Sequence, residues 1–149
     1  MPRKFMKHLI LIIVVFLLLS PAAFAQVAVI VHKDAPAESL SKTQVIDFYS
    51  ADIKLWSNKA PVIIFDLKPS GEVKETFYKF LGKTPSRMKS IWLKKLLMGE
   101  GDPPVALSSE EEMIKKVAST PGAIGFASKA KVNGSVKIVL IIEDEKLEK

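Results

Sequence analysis

The sequence predicts an α/β fold, a small mixed sheet flanked by helices, and three observations carry that reading. Residues 27–31, 62–65 and 136–142 are runs of aliphatic and β-branched residues with little alternation, the pattern of strands covered on both faces. Between them apolar residues recur at helical spacing, as at Val73, Phe77, Phe80 and Leu81. Strand-like and helix-like segments interleave along the chain instead of segregating, which places helices on the faces of one sheet.

Residues 27–31 form a strand expected in mid-sheet, ended by His32-Lys33-Asp34-Ala35-Pro36. Ser41-Lys42-Thr43-Gln44 reads as a capping box that opens a helix with Val45, Phe48 and Tyr49 on its buried face. Residues 50–60 are a polar loop around Trp56, which either packs back on the domain or lines a cleft. Pro61 leads into the second strand, residues 62–65, and Asp66-Leu67-Lys68-Pro69-Ser70-Gly71 turns the chain into a helix that Gly82 stops.

Thr84-Pro85 opens the next helix, with a broad buried face expected at Met88, Ile91, Trp92, Leu96 and Leu97. Residues 99–104 form a loop whose two prolines cannot continue a helix. Ser108 is the expected cap of a third long helix, with Glu110, Glu111 and Glu112 where the helix dipole favours negative charge and Ile114, Val117 and Ala118 facing inward. Thr120-Pro121-Gly122 then turns into a short strand at 123–126, where glycines permit close backbone approach. Asn133-Gly134 marks a turn before the last strand, and residues 143–149 are a charged tail.

Residues 1–25 read as a cleaved signal peptide: Arg3, Lys4 and Lys7 are a basic start, residues 9–19 an apolar core, and Ala23-Phe24-Ala25 a cleavage signal. The eleven-residue apolar run is short of the ~20 residues needed to span a bilayer. The expectation is therefore an exported, periplasmic protein starting at Gln26, with residues 26–149 as one domain. Three of the 22 basic residues leave with the signal and all 16 acidic ones stay, so the mature charge is +3 rather than +6. Without a basic run interleaved with aromatics, that charge does not indicate a nucleic-acid partner. The chain contains no cysteine, so no disulfide framework or lipid-modified cysteine is available.

Enzyme chemistry is excluded mostly by absent residues. Beyond the signal the only histidine is His32, so no Ser-His or Cys-His pair and no nitrogen/sulfur metal site can be assembled. Ser70 sits at a strand-to-helix turn but lacks the G-x-S-x-G elbow of a nucleophile, and helix capping accounts for it. Glu110, Glu111 and Glu112 are explained by the dipole without a metal, and no cofactor is expected. What remains is the junction at residues 68–73, where the first N–H groups of a helix, at Gly71, Glu72 and Val73, lack internal partners and can face an anion.

Taken together, the helix at 41–48 followed by Trp56, the Pro69-Ser70-Gly71 turn before Phe77, Gly101-Asp102-Pro103-Pro104, and Pro121-Gly122-Ala123-Ile124-Gly125-Phe126 form a series. That series resembles the periplasmic phosphate-binding proteins of ABC transporters, specifically their short single-lobe relatives. The resemblance implies a single lobe of the type II periplasmic binding protein-like fold and a role in small-anion binding linked to ABC-type uptake. Lys68, Ser70, Gly71 and Glu72 are the corresponding ligand-side positions. Full-length members use an Arg-x-x-x-Ser-Gly-Thr turn; here Ser70 and Gly71 match, while Asp66 stands at the Arg position and Glu72 at the Thr position. The alternative is a single-lobe interaction module that kept the fold and binds a protein partner or a different ligand. The partners implied are phosphate or another small anion, an ABC permease or other envelope protein, and a second copy of the chain.

Overall fold

The computed structural model describes residues 3–18 and 26–143; the expected cleavage signal at 23–25 and all of the charged tail beyond Glu143 lie outside the described residues. Helix α1 (Arg3–Leu18) comes first. It is followed by β1 (Val27–Val31), α2 (Lys42–Tyr49), β2 (Ile63–Leu67), α3 (Glu72–Leu81), α4 (Pro85–Leu97), β3 (Val105–Leu107), α5 (Glu110–Ser119), β4 (Ala123–Ser128) and β5 (Lys137–Ile142). Among the described residues no helix is long and apolar enough to cross a membrane.

The five strands form one mixed sheet in the order β3-β2-β4-β1-β5. β1 runs antiparallel to both neighbours, pairing Val27 with Ser128 on one side and with Ile142 on the other. β2 runs parallel to β3 and β4. All five residues of β1 are buried, as its unbroken apolar run requires of a strand covered on both faces.

Helices cover both faces. Successive strand residues point to opposite sides, and in β4 Gly125 faces α5 while Phe126 faces α2 and α3. A Cβ at Gly125 would strike Met113 Sδ and crowd Val117, so the missing side chain sets how closely α5 lies on the sheet. On the other face Phe77 of α3 stacks on Phe126 with ring centroids 3.8 Å apart, and Tyr49 of α2 meets both rings edge-on.

The α2 capping box is present as expected, with Ser41 and Gln44 each accepting from the other's backbone N–H, and Val45, Phe48 and Tyr49 are its buried residues. Trp56 packs back on the domain: it is buried against Phe48, and its Nε1 donates to Gly122 O at 3.0 Å. Gly122 holds φ +79°, and a Cβ there would collide with the Pro61 carbonyl oxygen, so glycine is required on both counts.

Four expectations are corrected. β2 continues through Asp66 and Leu67, because those residues pair with Ala106 and Leu107 of β3, a three-residue edge strand with no signal of its own after two prolines. The α5 cap is Ser109 rather than Ser108; Ser109 Oγ accepts from Glu112 N–H, while Ser108 N–H donates back to Glu112 Oε2. The inner face of α5 is Met113, Ile114 and Val117, with Ala118 half-buried. Finally, α4 buries only Met88 and Trp92; Leu96 and Leu97 are exposed, together with Leu93 and Met98.

Candidate functional site

The junction after β2 is built by three residue types with distinct jobs. Pro69 cannot extend the parallel ladder, Ser70 is exposed, and Gly71 is the N-cap of α3 in an extended conformation with no side-chain capping hydrogen bond. The first backbone N–H groups of α3 are therefore uncapped by any side chain, and the first turn also carries Glu72 and Glu75.

Ser70, Gly71 and Glu72 line a hollow of about 390 Å³ together with Val73, and its opposite wall is the start of α5, with Ser109, Glu110, Glu111 and Lys131. The N-terminal ends of two helices thus meet around one space. Lys131 bridges the wall, its Nζ 3.2 Å from Glu110 and 3.1 Å from Glu111. Glu110 also accepts the Ser128 backbone N–H at 2.6 Å, tying α5 to the end of β4. Desolvation works against the Glu110 charge, but the Ser128 N–H and the Lys131 ammonium outweigh it and hold the carboxyl below its ordinary range. Lys131 is held above its ordinary range by hydrogen bonds to Glu111 and Glu110.

Lys68 does not join these residues. It lines the neighbouring groove of about 590 Å³ with Asp66, Lys74 and Tyr78, while its backbone N–H donates to Leu107 O at 2.8 Å. In that groove Asp66 is engaged from three directions. It accepts from Tyr78 Oη at 2.5 Å and from Leu67 N–H at 2.8 Å, and Lys74 Nζ lies 3.8 Å away. Lys74 also donates to Leu67 O at 2.6 Å. Burial first, then the hydrogen bond to Asp66, pushes the Tyr78 hydroxyl well above its ordinary range.

Two groups of residues escaped the sequence reading. Lys74 and Tyr78 stand four apart on α3 and so share a face, a spacing that pairs them with the end of the preceding strand. The Lys131 contact had no local signal, because Lys131 lies in a 3-10 turn (Lys129–Lys131) twenty residues beyond its partners. Among the described residues no group of three or more histidine, cysteine, aspartate or glutamate side chains could hold a metal ion.

The lobe has the fold of phosphate ABC transporter substrate-binding proteins. It is similar to such a protein from Clostridium perfringens, solved with bound phosphate, at TM-score 0.64 and 21% identity over 77% of this chain and 45% of that one. An ABC-type phosphate transport receptor from Vibrio cholerae gives TM-score 0.64 and 21% identity over 78% and 46%. PstS from Borrelia burgdorferi gives 0.58 and 16% over 78% and 47%. The chain thus spans less than half the length of these structures, a single lobe. No family model matches the chain, and no curated protein sequence matches it.

Proposed function

We propose that this chain is a periplasmic, non-enzymatic solute-binding protein linked to ABC-type uptake, exported by a signal peptide over residues 1–25. Its single lobe offers the α3 N-terminus at Ser70, Gly71 and Glu72 to phosphate or a similar small anion. The observation that carries the reading is the Gly71 cap: a helix start without a side-chain cap, opening into a hollow, in a lobe whose fold is that of phosphate-transport binding proteins. Lys68 contributes through its charge from the adjacent groove rather than by direct contact.

The electrostatics set the affinity. Three carboxylates, Glu72, Glu110 and Glu111, border the hollow, and Lys131 is already committed to two of them. A one-walled site under that field gives a Kd on the order of 1 mM, about −4.1 kcal/mol. Tight capture then requires a second wall from a permease or a second copy of the chain. Calorimetry against phosphate and sulfate tests this: the wild type binds phosphate weakly, and Glu72→Thr, which removes a charge and adds a hydroxyl donor, binds it roughly tenfold more tightly. Tight binding by the wild type that weakens in Glu72→Thr would make Glu72 a ligand-side group and overturn the electrostatic account. Mass spectrometry of the exported protein tests the address, with Gln26 as the expected first residue.

A protein-partner reading is favoured by a different observation, the apolar face left open by α4.

A further inference from the structure

From residue 26 onward, eight large hydrophobic side chains are exposed among the described residues, and seven of them lie at one end of the molecule. α4 contributes Leu93, Leu96, Leu97 and its C-cap Met98, with Leu97 78% exposed. Ile53, Leu55 and Val105 complete the set; only Ile138 lies elsewhere, on the opposite edge strand.

Five of these side chains line two adjoining grooves, Leu97 lies one turn beyond Leu93 on the same helix face, and Met98 faces a separate hollow beside Arg87 and Ile91. Leu93 and Leu96 line the 590 Å³ groove, and Ile53, Leu55 and Val105 line a second groove of about 380 Å³. The two grooves share Trp92, Pro103 and Pro104 as a dividing ridge. Trp92 is 5% exposed, and its Nε1 is buried with no acceptor among the described residues. A buried donor left unpaired costs about 1–3 kcal/mol, and an aromatic with a polar tip between two grooves is the kind of anchor interfaces are built around.

The charges around this surface identify the occupant. Lys54, Lys68 and Lys89 line the two grooves, Lys94 stands three residues before Leu97 on α4, and none of the four makes an ion pair or side-chain hydrogen bond among the described residues. The nearby carboxylates are mostly neutralised: Asp66 by Tyr78 and Lys74, and Asp52 and Glu100 by Lys95, leaving Asp102. A second copy docked by a two-fold contact would set this basic rim against itself. We infer that the α4 face, with the two grooves on either side of the Trp92–Pro103–Pro104 ridge, is a docking surface for a protein partner presenting an apolar stripe flanked by carboxylates. The inference concerns a surface next to the Ser70–Gly71 hollow, whose lining shares Leu67 and Lys74 with the larger groove, and stands whether or not an anion binds in that hollow.

The test uses the full chain and two labelled, monomeric amphipathic peptides that share one leucine stripe, flanked by glutamate in one and by lysine in the other. Fluorescence anisotropy should show the acidic peptide binding about tenfold or more tightly than the basic one, with the preference weakening as salt is raised. The paired change Leu96→Ser and Leu97→Ser, both on exposed positions, should abolish that binding with the circular dichroism unchanged. The pair Lys89→Glu and Lys94→Glu should reverse the preference towards the basic peptide. Equal binding of both peptides, binding of neither, or indifference to either pair of changes would overturn the proposal. So would a dimer in sedimentation that disappears in the leucine double variant, since the occupant would then be a second copy.

Discussion

The Tyr78 hydroxyl donates to the Asp66 carboxylate at 2.5 Å, locking the first carboxylate of the turn to the helix that follows it. Asp66 is thereby spent on the fold. With Leu67 N–H and Lys74 also engaged, this residue anchors α3 on the end of β2 rather than facing the hollow at Ser70 and Gly71. Asp66 is a structural joint between β2 and α3.

An alkaline titration should expose that joint. The chain has two tyrosines, Tyr49 and Tyr78, and burial followed by the influence of Asp66 raises both hydroxyls above the ordinary value of 10.0. The fold favours the neutral hydroxyl, so the unfolded chain loses these protons first. Stability is unaffected below about pH 10 and falls as pH rises beyond it. Phenolate absorbance should therefore appear only together with loss of ellipticity, and Tyr78→Phe should make the alkaline transition less steep.

Acid works through the other wall. Glu110 has its carboxyl held below the ordinary 4.5, so its contribution is present above that pH and is lost as pH falls through the lowered value. Glu110→Gln should cost about 1–2 kcal/mol at neutral pH through its weaker bonds to Ser128 and Lys131. The variant should also show a flatter loss of stability in acid, measured by denaturant titration from pH 7 to about pH 3.

Packing predictions divide α3 from α4. Phe77 is fully buried against Phe126, and Phe77→Ala should cost about 3–5 kcal/mol. Leu97→Ala should change stability by less than about 0.5 kcal/mol, because that side chain is mostly solvated. Denaturant midpoints of the two variants check the contrast directly.

Gly122→Ala combines a left-handed backbone with a collision against the Pro61 carbonyl. A loss of about 1–3 kcal/mol is expected, with Trp56 fluorescence altered because its indole donates to the same residue's carbonyl.

What could be read from the sequence depended on how local its determinants were. The α2 capping box was legible because Ser41 and Gln44 lie within one turn. β1 was legible because five consecutive buried residues leave no other reading. The α4 face was misread because its apolar residues wrap most of the helix, and periodicity does not say which side a neighbour covers. At the candidate site, Ser70, Gly71 and Glu72 converge because they are contiguous at a helix start. Lys68 was grouped with them by proximity in sequence, but the turn at Pro69 places it in the adjoining groove, and Lys131 reaches the hollow only through the tertiary fold.

The position of β1 also fixes when the fold can form. Among the described residues its partners are β4 and β5, about a hundred residues further along the chain, so a nascent chain carries this wholly apolar strand unpaired until those strands are made. Closure of the sheet is then a late, non-local event, and a chain cut short before Ala123 leaves β1 with nothing to join. The same delay leaves the Val27–Val31 segment open to non-native strand pairing until β4 and β5 arrive.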